Sequence, residues 1–364
     1  MSSSIGNILK ITIFGESHGE AIGMTIDGLP AGICIPFDAI QNDLAKRKTK
    51  DFLSTSRNEP DEVKFLSGVF ENRTTGTPLT FILPNKDVDS SAYKKGEIRP
   101  SHADLVNYLK SNGNNDYRGG GFSSGRITAS IIVLGAICKE ILAKRGIKVL
   151  SRIKSIHGVK DRKFVNCKED IETLENDIFP VLEKATKETM IKEIEFARIK
   201  EDSIGGSVET IILNSPIGLG EPYFDSFESY ISQLIFSIGG VKGINFGDAD
   251  LFEKEYGSKV NDQLRIEDGN ITYLSNHNGG INGGLTNGQP LVFTSVIKPT
   301  PSIGLKQASI DVLNKENIDL NIKGRHDPCI VHRVRPVINA LAAYAMVDLL
   351  MVKESKNIWV NLVY

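Results

Sequence analysis

The connections between strand-like runs restrict this chain's fold more than any other feature. Residues 10–14 (KITIF) alternate and stop at Gly15. Residues 23–27, 63–70, 78–83, 147–156, 207–213, 271–274 and 290–297 read similarly, rich in β-branched or aromatic side chains and lying near Gly, Pro, Asn or Asp. Several are joined by linkers too short for a crossover helix, such as residues 71–77. A short linker returns the chain antiparallel, which argues against a doubly wound parallel sheet.

Helices are interspersed. Asp38 is placed to cap a helix carrying Ile40 and Leu44 and ending in Lys46-Arg47-Lys48. Residues 127–142 carry apolar side chains at Ile127, Ile131, Leu134, Cys138 and Ile141, close to helical period. Residues 183–200 read as a charged surface helix, and Ser226 as the cap of a helix over 227–238 stopped by Gly239-Gly240. Pro336 suits the first position of a buried helix running to Val352. No repeat or linker divides the chain, so the expectation is one α+β domain over residues 1–364.

Composition narrows the class. With 43 basic and 45 acidic side chains the net charge is −2, so bulk attraction to nucleic acid or to an anionic membrane is not expected, and any anion affinity must be local. The longest mostly apolar stretch, residues 129–138, falls short of the roughly 18 residues a membrane span needs, and the N-terminus lacks a signal-peptide pattern. Four scattered cysteines fit free thiols in a reducing cytoplasm. Neither HExxH, GxSxG nor zinc spacing occurs, and no metal site is expected.

The 34 glycines are bunched in loops that could carry chemistry. In Gly15-Glu16-Ser17-His18-Gly19, His18 is either a solvated turn residue or a proton donor. In Arg99-Pro100-Ser101-His102-Ala103-Asp104, Ser101 and Asp104 have capping-box-like spacing. That puts His102 at the first helical position, where the helix end would favour neutral imidazole. The alternative is a helix-start histidine of no consequence. The run from Arg118 through three glycines and Phe122-Ser123-Ser124-Gly125 to Arg126 reads as an anion-binding loop rather than merely a flexible one. The glycine- and asparagine-rich residues 276–290 read better as a turn-rich connection than as a cofactor loop. Arg325, His326 and Asp327, followed by Arg333 and Arg335, form either an anion clamp with a carboxylate or a surface salt-bridge cluster.

Taken together, the segments at residues 6–32, 66–78, RPSHAD (99–104), DYRGGGFSSGR (116–126), 239–247, NHNGGINGGLTNGQP (276–290), KPTPSI (298–303) and GRHDPC (324–329) resemble the chorismate synthase family. They occur in the family's order and span nearly the whole chain. The resemblance implies a single-domain β-α-β sandwich with largely antiparallel sheets, and a homotetramer in the cytoplasm. It implies a lyase that eliminates phosphate 1,4 from 5-enolpyruvylshikimate 3-phosphate to give chorismate, with reduced FMN as cofactor. Flavin reduction would use NADPH, or a separate flavin reductase.

Carried over by position, His18, His102 and Asp327 are the proton-handling residues. FMN contacts map to Phe122, Ser123, Ser124, Gly239, Gly240, Gly283, Lys298, Pro299, Thr300, Pro301, Ser302 and Arg325. Arg126 and Arg333, together with Arg47, would hold anionic substrate or nicotinamide phosphate. The chain departs from the family pattern at Phe122, which stands in place of an arginine, at Gly125, at Lys48-Thr49-Lys50, and at Asn339, which replaces a glutamate. Two rival readings are a non-catalytic flavin- or anion-binding relative and an ordinary flavin oxidoreductase, the latter lacking a dinucleotide fingerprint.

Overall fold

Every strand ladder among the described residues is antiparallel, the hairpins because their short linkers require it and the long-range pairs as well. The computed structural model describes residues 2–48, 59–91, 93–322 and 327–363.

The N-terminal part supplies β1 (Ser4–Ile5), β2 (Lys10–Gly15), β3 (Ala21–Asp27), α1 (Phe37–Arg47), β4 (Lys64–Ser67), the small hairpin β5 (Val69–Phe70) and β6 (Arg73–Thr74), and β7 (Leu79–Pro84). Five of these strands form one sheet in the order β1-β2-β3-β7-β4. Along β7, Leu79, Phe81 and Leu83 alternate inward and are fully buried. The run read as one strand over 63–70 is two, because Gly68 has φ +79° and packs its Cα on the Leu79 backbone. Helix α1 begins one residue before Asp38, so that side chain sits in the first turn rather than capping it.

After α2 (Asp104–Lys110) and a glycine loop, α3 (Ala129–Ala143) crosses the interior. The second half contributes β8 (Lys148–Ile156), β9 (Val159–Lys160), α4 (Lys168–Asn176), α5 (Lys184–Ile199), β10 (Gly206–Leu213), α6 (Phe227–Phe236) and β11 (Val241–Phe246). Short helices α7 (Ala249–Phe252) and α8 (Gly257–Val260) precede the hairpins β12–β13 (Leu264–Glu267, Asn270–Tyr273) and β14–β15 (Ile281–Asn282, Leu285–Thr286). Then come β16 (Leu291–Ile297), the hairpin β17–β18 (Gln307–Asp311, Glu316–Leu320) and α9 (Val331–Val363). The second large sheet runs β11-β16-β10-β8-β9. As read from sequence, the Ser226 hydroxyl caps α6, accepting from Ser229 N at 3.1 Å.

Helices α1, α3 and α9 pack on one another; α3 also meets β3 and β7, while α9 lies on β8 and β10. Two sheets thus enclose a helical layer, the expected β-α-β sandwich. The centre of α3 is buried nearly all round because both of its sides face protein. Helix α9 starts at Val331, so Pro336 lies inside it and omits one backbone hydrogen bond instead of opening the helix. It is also longer than the sequence reading allowed. Residues Val331–Ile358 are long and apolar enough to cross a membrane by length and composition alone, but 83 % of the relevant window is buried inside the fold. Asp348 on α9 ties down the N-terminal segment by accepting from Ile8 N at 2.9 Å, Leu9 N at 2.8 Å and the Tyr230 hydroxyl at 2.6 Å.

Candidate active site

Loops leaving both sheets and the N-terminal ends of the central helices surround a cavity of about 1640 Å³. His18, from the turn after β2, and His102, from the segment before α2, both line it, as does Asp327 just before α9. The three positions expected to handle protons therefore share one hollow.

Each imidazole is held through Nδ1. His18 Nδ1 lies 2.7 Å from the Ser90 hydroxyl, and its ring meets the Tyr93 ring edge-on at 5.4 Å. His102 Nδ1 lies 2.6 Å from Asp104 Oδ1. This differs from the capping-box expectation. Helix α2 starts at Asp104 with Ala103 at its cap and no side-chain cap bond, so His102 lies ahead of the helix, and Asp104 turns back to bind the histidine and Arg99. Ser101 has φ +58° and caps nothing.

The glycine loop fits against these rings. A Cβ at Gly119 would collide with the His18 ring, and one at Gly120 would lie 3.3 Å from His102 Cε1 and 3.7 Å from Nε2. With φ values of +60° and +91°, both positions also need a backbone that L side chains rarely adopt. Two consecutive glycines thus bring the Nε2 edges of both histidines to one stretch of loop.

Beyond the loop, Phe122, Ser123, Ser124 and Gly125 line the cavity, facing Gly239 and Gly240 from the end of α6. Ser123 O lies 4.0 Å from where a Gly239 Cβ would stand. Lys298, Pro299, Thr300, Pro301 and Ser302 follow β16 along the same wall. Lys298 N donates to Gly240 O at 2.9 Å, and the Thr300 hydroxyl donates to Asp327 O at 2.7 Å, so these segments are stitched together. Of the expected cofactor contacts, Gly283 lies elsewhere, in the β14–β15 turn, and none of residues 276–290 lines the cavity. That segment is organised instead by Asp262, which accepts from His277 N and Asn278 N at 2.7 and 2.9 Å. Arg325 falls outside the described residues.

The cavity is cationic. Arg47, Lys48, Arg99, Arg126, Lys242, Lys298 and Arg333 line it against Glu59, Asp61, Asp87, Asp89 and Asp327. Arg333 Nη1 donates to Asp327 Oδ2 at 2.6 Å. Arg126 donates to Asp61 and, through Nε, to Asn85 Oδ1 at 2.9 Å, while Arg118 turns away to Asp116 and does not line the cavity. Arg47 donates to Gly125 O at 2.7 Å; burial, reinforced by Arg333, pushes its guanidinium down to about 9 against the opposing pull of Asp61. A buried guanidinium next to like charge favours an anion beside it. Asn339 is not part of this wall; its amide donates to Val149 O at 2.9 Å, in the helix–sheet interface.

Sequence reasoning missed Ser90, Tyr93, Arg99 and Asp104 as site residues. Only Asp104 carried a signal, and it pointed to helix capping.

Two imidazoles and a carboxylate converge on a cation-lined hollow inside a β-α-β sandwich, an arrangement suited to a polyanionic ligand and to proton transfer. The sequence pattern of the family described as chorismate synthase matches residues 9–351. Chorismate synthase of Pyrococcus abyssi is 41 % identical over 351 residues, covering 96 % of this chain and 98 % of the relative. That of Dehalococcoides mccartyi is 41 % identical over 352 residues, 96 % of each chain. A crystal structure of chorismate synthase superposes with a TM-score of 0.75 at 26 % identity, covering 96 % of this chain and 93 % of the other. The chain belongs to the chorismate synthase family.

Proposed function

We propose that the protein is a carbon–oxygen lyase that converts 5-enolpyruvylshikimate 3-phosphate to chorismate by 1,4-elimination of phosphate, with reduced FMN bound beside the substrate. The observation that carries this reading is the convergence of His18, His102 and Asp327 on one cation-rich cavity.

The residues present fit FMN. The absence of a Cβ at Gly119 and Gly120 lets the loop lie against the His18 and His102 rings, and the cavity volume exceeds the roughly 300–1,000 Å³ of a site for one small ligand. Phe122, Ser123, Ser124, Gly239, Gly240 and residues 298–302 would hold the flavin, with Arg47, Arg126 and Arg333 toward the anionic groups. Reduced FMN held there would supply electron density for the C–O cleavage and regain it, so that turnover would involve no net oxidation. His102 delivers a proton from Nε2 to the departing phosphate as the imidazolium, its Nδ1–H held by Asp104. His18, held at Nδ1 by Ser90, would act as the acid that keeps the bound reduced flavin in its working protonation state. Asp327, steadied by Arg333, accepts a proton on its carboxylate. The arginines and lysines neutralise two carboxylates and a phosphate that would otherwise be costly to bury.

The reading extends to a cytoplasmic homotetramer whose flavin is reduced either by its own NADPH or by a separate reductase. The test is an anaerobic assay with reduced FMN and enolpyruvylshikimate phosphate, following chorismate absorbance. Turnover is expected, and no product at micromolar enzyme overturns the proposal in favour of a non-catalytic flavin- or anion-binding protein. Repeating it with oxidised FMN and NADPH decides the source of electrons.

A further inference from the structure

We infer that Asp104, steadied by Arg99, is a positioning residue that fixes His102 as the Nδ1–H tautomer and thereby commits Nε2 to the reaction. The inference rests on the lyase reading above and adds to it residues that handle no proton of the substrate themselves.

Two groups compete for His102 Nδ1. Arg99 Nη2 lies 3.2 Å away and could only donate; Asp104 Oδ1 lies 2.6 Å away and, ionised, can only accept. A bare Nδ1 would set its lone pair against a carboxylate oxygen at the shorter distance. An Nδ1–H satisfies that oxygen with a charge-assisted hydrogen bond, so this tautomer wins. Nε2 is then the nitrogen that takes up a proton to form the imidazolium and gives that proton to the leaving phosphate, and it is the edge that faces Gly120.

Asp104 is itself fixed from the other side. Arg99 grips it through Nε at 2.7 Å and Nη2 at 2.8 Å, and Arg99 N donates to Oδ2 at 3.2 Å. Burial alone would raise the Asp104 carboxyl, but the Arg99 and His102 hydrogen bonds outweigh it and hold it well below the usual carboxylate range. The Arg99 fork also cancels the carboxylate's charge, so the ring is oriented without placing an uncompensated anion near a departing phosphate. The Arg99 guanidinium stands 5.4 Å from the centre of the Tyr93 ring, whose edge-on partner is His18 at 5.4 Å, so one chain of contacts supports both imidazoles. The two supports differ in kind. The Ser90 hydroxyl beside His18 can donate or accept, whereas the ionised Asp104 carboxylate beside His102 can only accept. Position argues the same way, since an aspartate at the start of α2 would ordinarily cap the helix and this one does not.

The experiment pairs a tautomer measurement with kinetics on the full-length protein. Two-bond proton–nitrogen correlation spectra of histidine-labelled enzyme, assigned with His102→Gln, are expected to show His102 protonated at Nδ1. In Asp104→Asn the carboxamide can offer its NH₂ to Nδ1 and release this constraint. Its kcat is expected to fall roughly 100-fold with KM for enolpyruvylshikimate phosphate moved less than about threefold, and Asp104→Glu to recover part of the loss. An Nε2–H tautomer in the wild type, or an Asn variant with kcat within twofold of wild type, overturns the inference. Should the Asn variant not fold, the wild-type tautomer decides alone. A wild type that makes no chorismate would sink the lyase reading, and the spectrum would still report on the ring.

Discussion

At the scale of single residues, chemistry-bearing side chains were visible in the sequence and their partners were not. His18 and His102 stand in short polar loops, and loops of that kind leave room for ligands. Ser90 is 72 residues from His18, and only folding brings its hydroxyl to the ring. Asp104 was visible but misread, because spacing alone cannot say that Arg99 and His102 outcompete the α2 amides for its carboxylate. A buried residue beside the site supplies a pH prediction. Burial, with Arg333 adding to it, pushes the His332 imidazole down to about 4 from 6.5. The unfolded chain therefore binds more protons between those values, so stability is complete above pH 6.5 and lost as pH falls toward 4. By pH 5 the loss should be about 2 kcal/mol relative to pH 7, before most carboxylates contribute. Urea unfolding at both pH values should show it in the wild type and far less of it in His332→Gln. Equal losses in the two proteins would remove His332 as the cause.

At the scale of elements, periodicity and turn chemistry located most long strands and helices, and errors gathered where tertiary contacts set a boundary. Gly68 divides one apolar run because the chain must pass against the Leu79 backbone there. Helix α9 extends ahead of Pro336 because burial between α3 and the second sheet outweighs one missing hydrogen bond. Strand β13 was legible over residues 271–274, whereas β12 is exposed throughout and β14 and β15 are two residues each, too brief to leave a period in the sequence. The crossing of α3 and α9 offers a sharp test. Gly135 Cα packs so closely on α9 that an added Cβ would sit 2.5 Å from Ala340 Cα. Helix propensity alone would make Gly135→Ala stabilising by up to about 1 kcal/mol. The collision is with backbone on a buried helix, where overpacking costs about 1–3 kcal/mol, so the net sign should be destabilising. A lowered midpoint in denaturant is expected, and an unchanged or raised one would mean the helices can separate freely.

At the scale of the whole molecule, a chain of net charge −2 gathers, among the described residues, seven basic side chains against five acidic ones around its cavity. This concentration of charge should draw an anionic substrate in, and salt should weaken it. Raising ionic strength from about 20 to 200 mM, which shortens the screening length severalfold, is expected to raise KM for enolpyruvylshikimate phosphate severalfold with little change in kcat. A KM independent of salt would show that the lining charges are already neutralised by one another. The sequence by itself determined that antiparallel pairing was favoured, since several linkers are too short for a crossover, and which glycine-rich loops carry ionisable side chains. It also determined membership of the family, because the motifs occur together and in order. Only the tertiary structure decided that residues as distant as His18, His102 and Asp327 open on one cavity, that residues 276–290 stay out of it, and that Asp104 serves a histidine instead of a helix. The reason is that periodicity and turn preference act between near neighbours, whereas a site is made by side chains whose partners are chosen through space, once the core has packed.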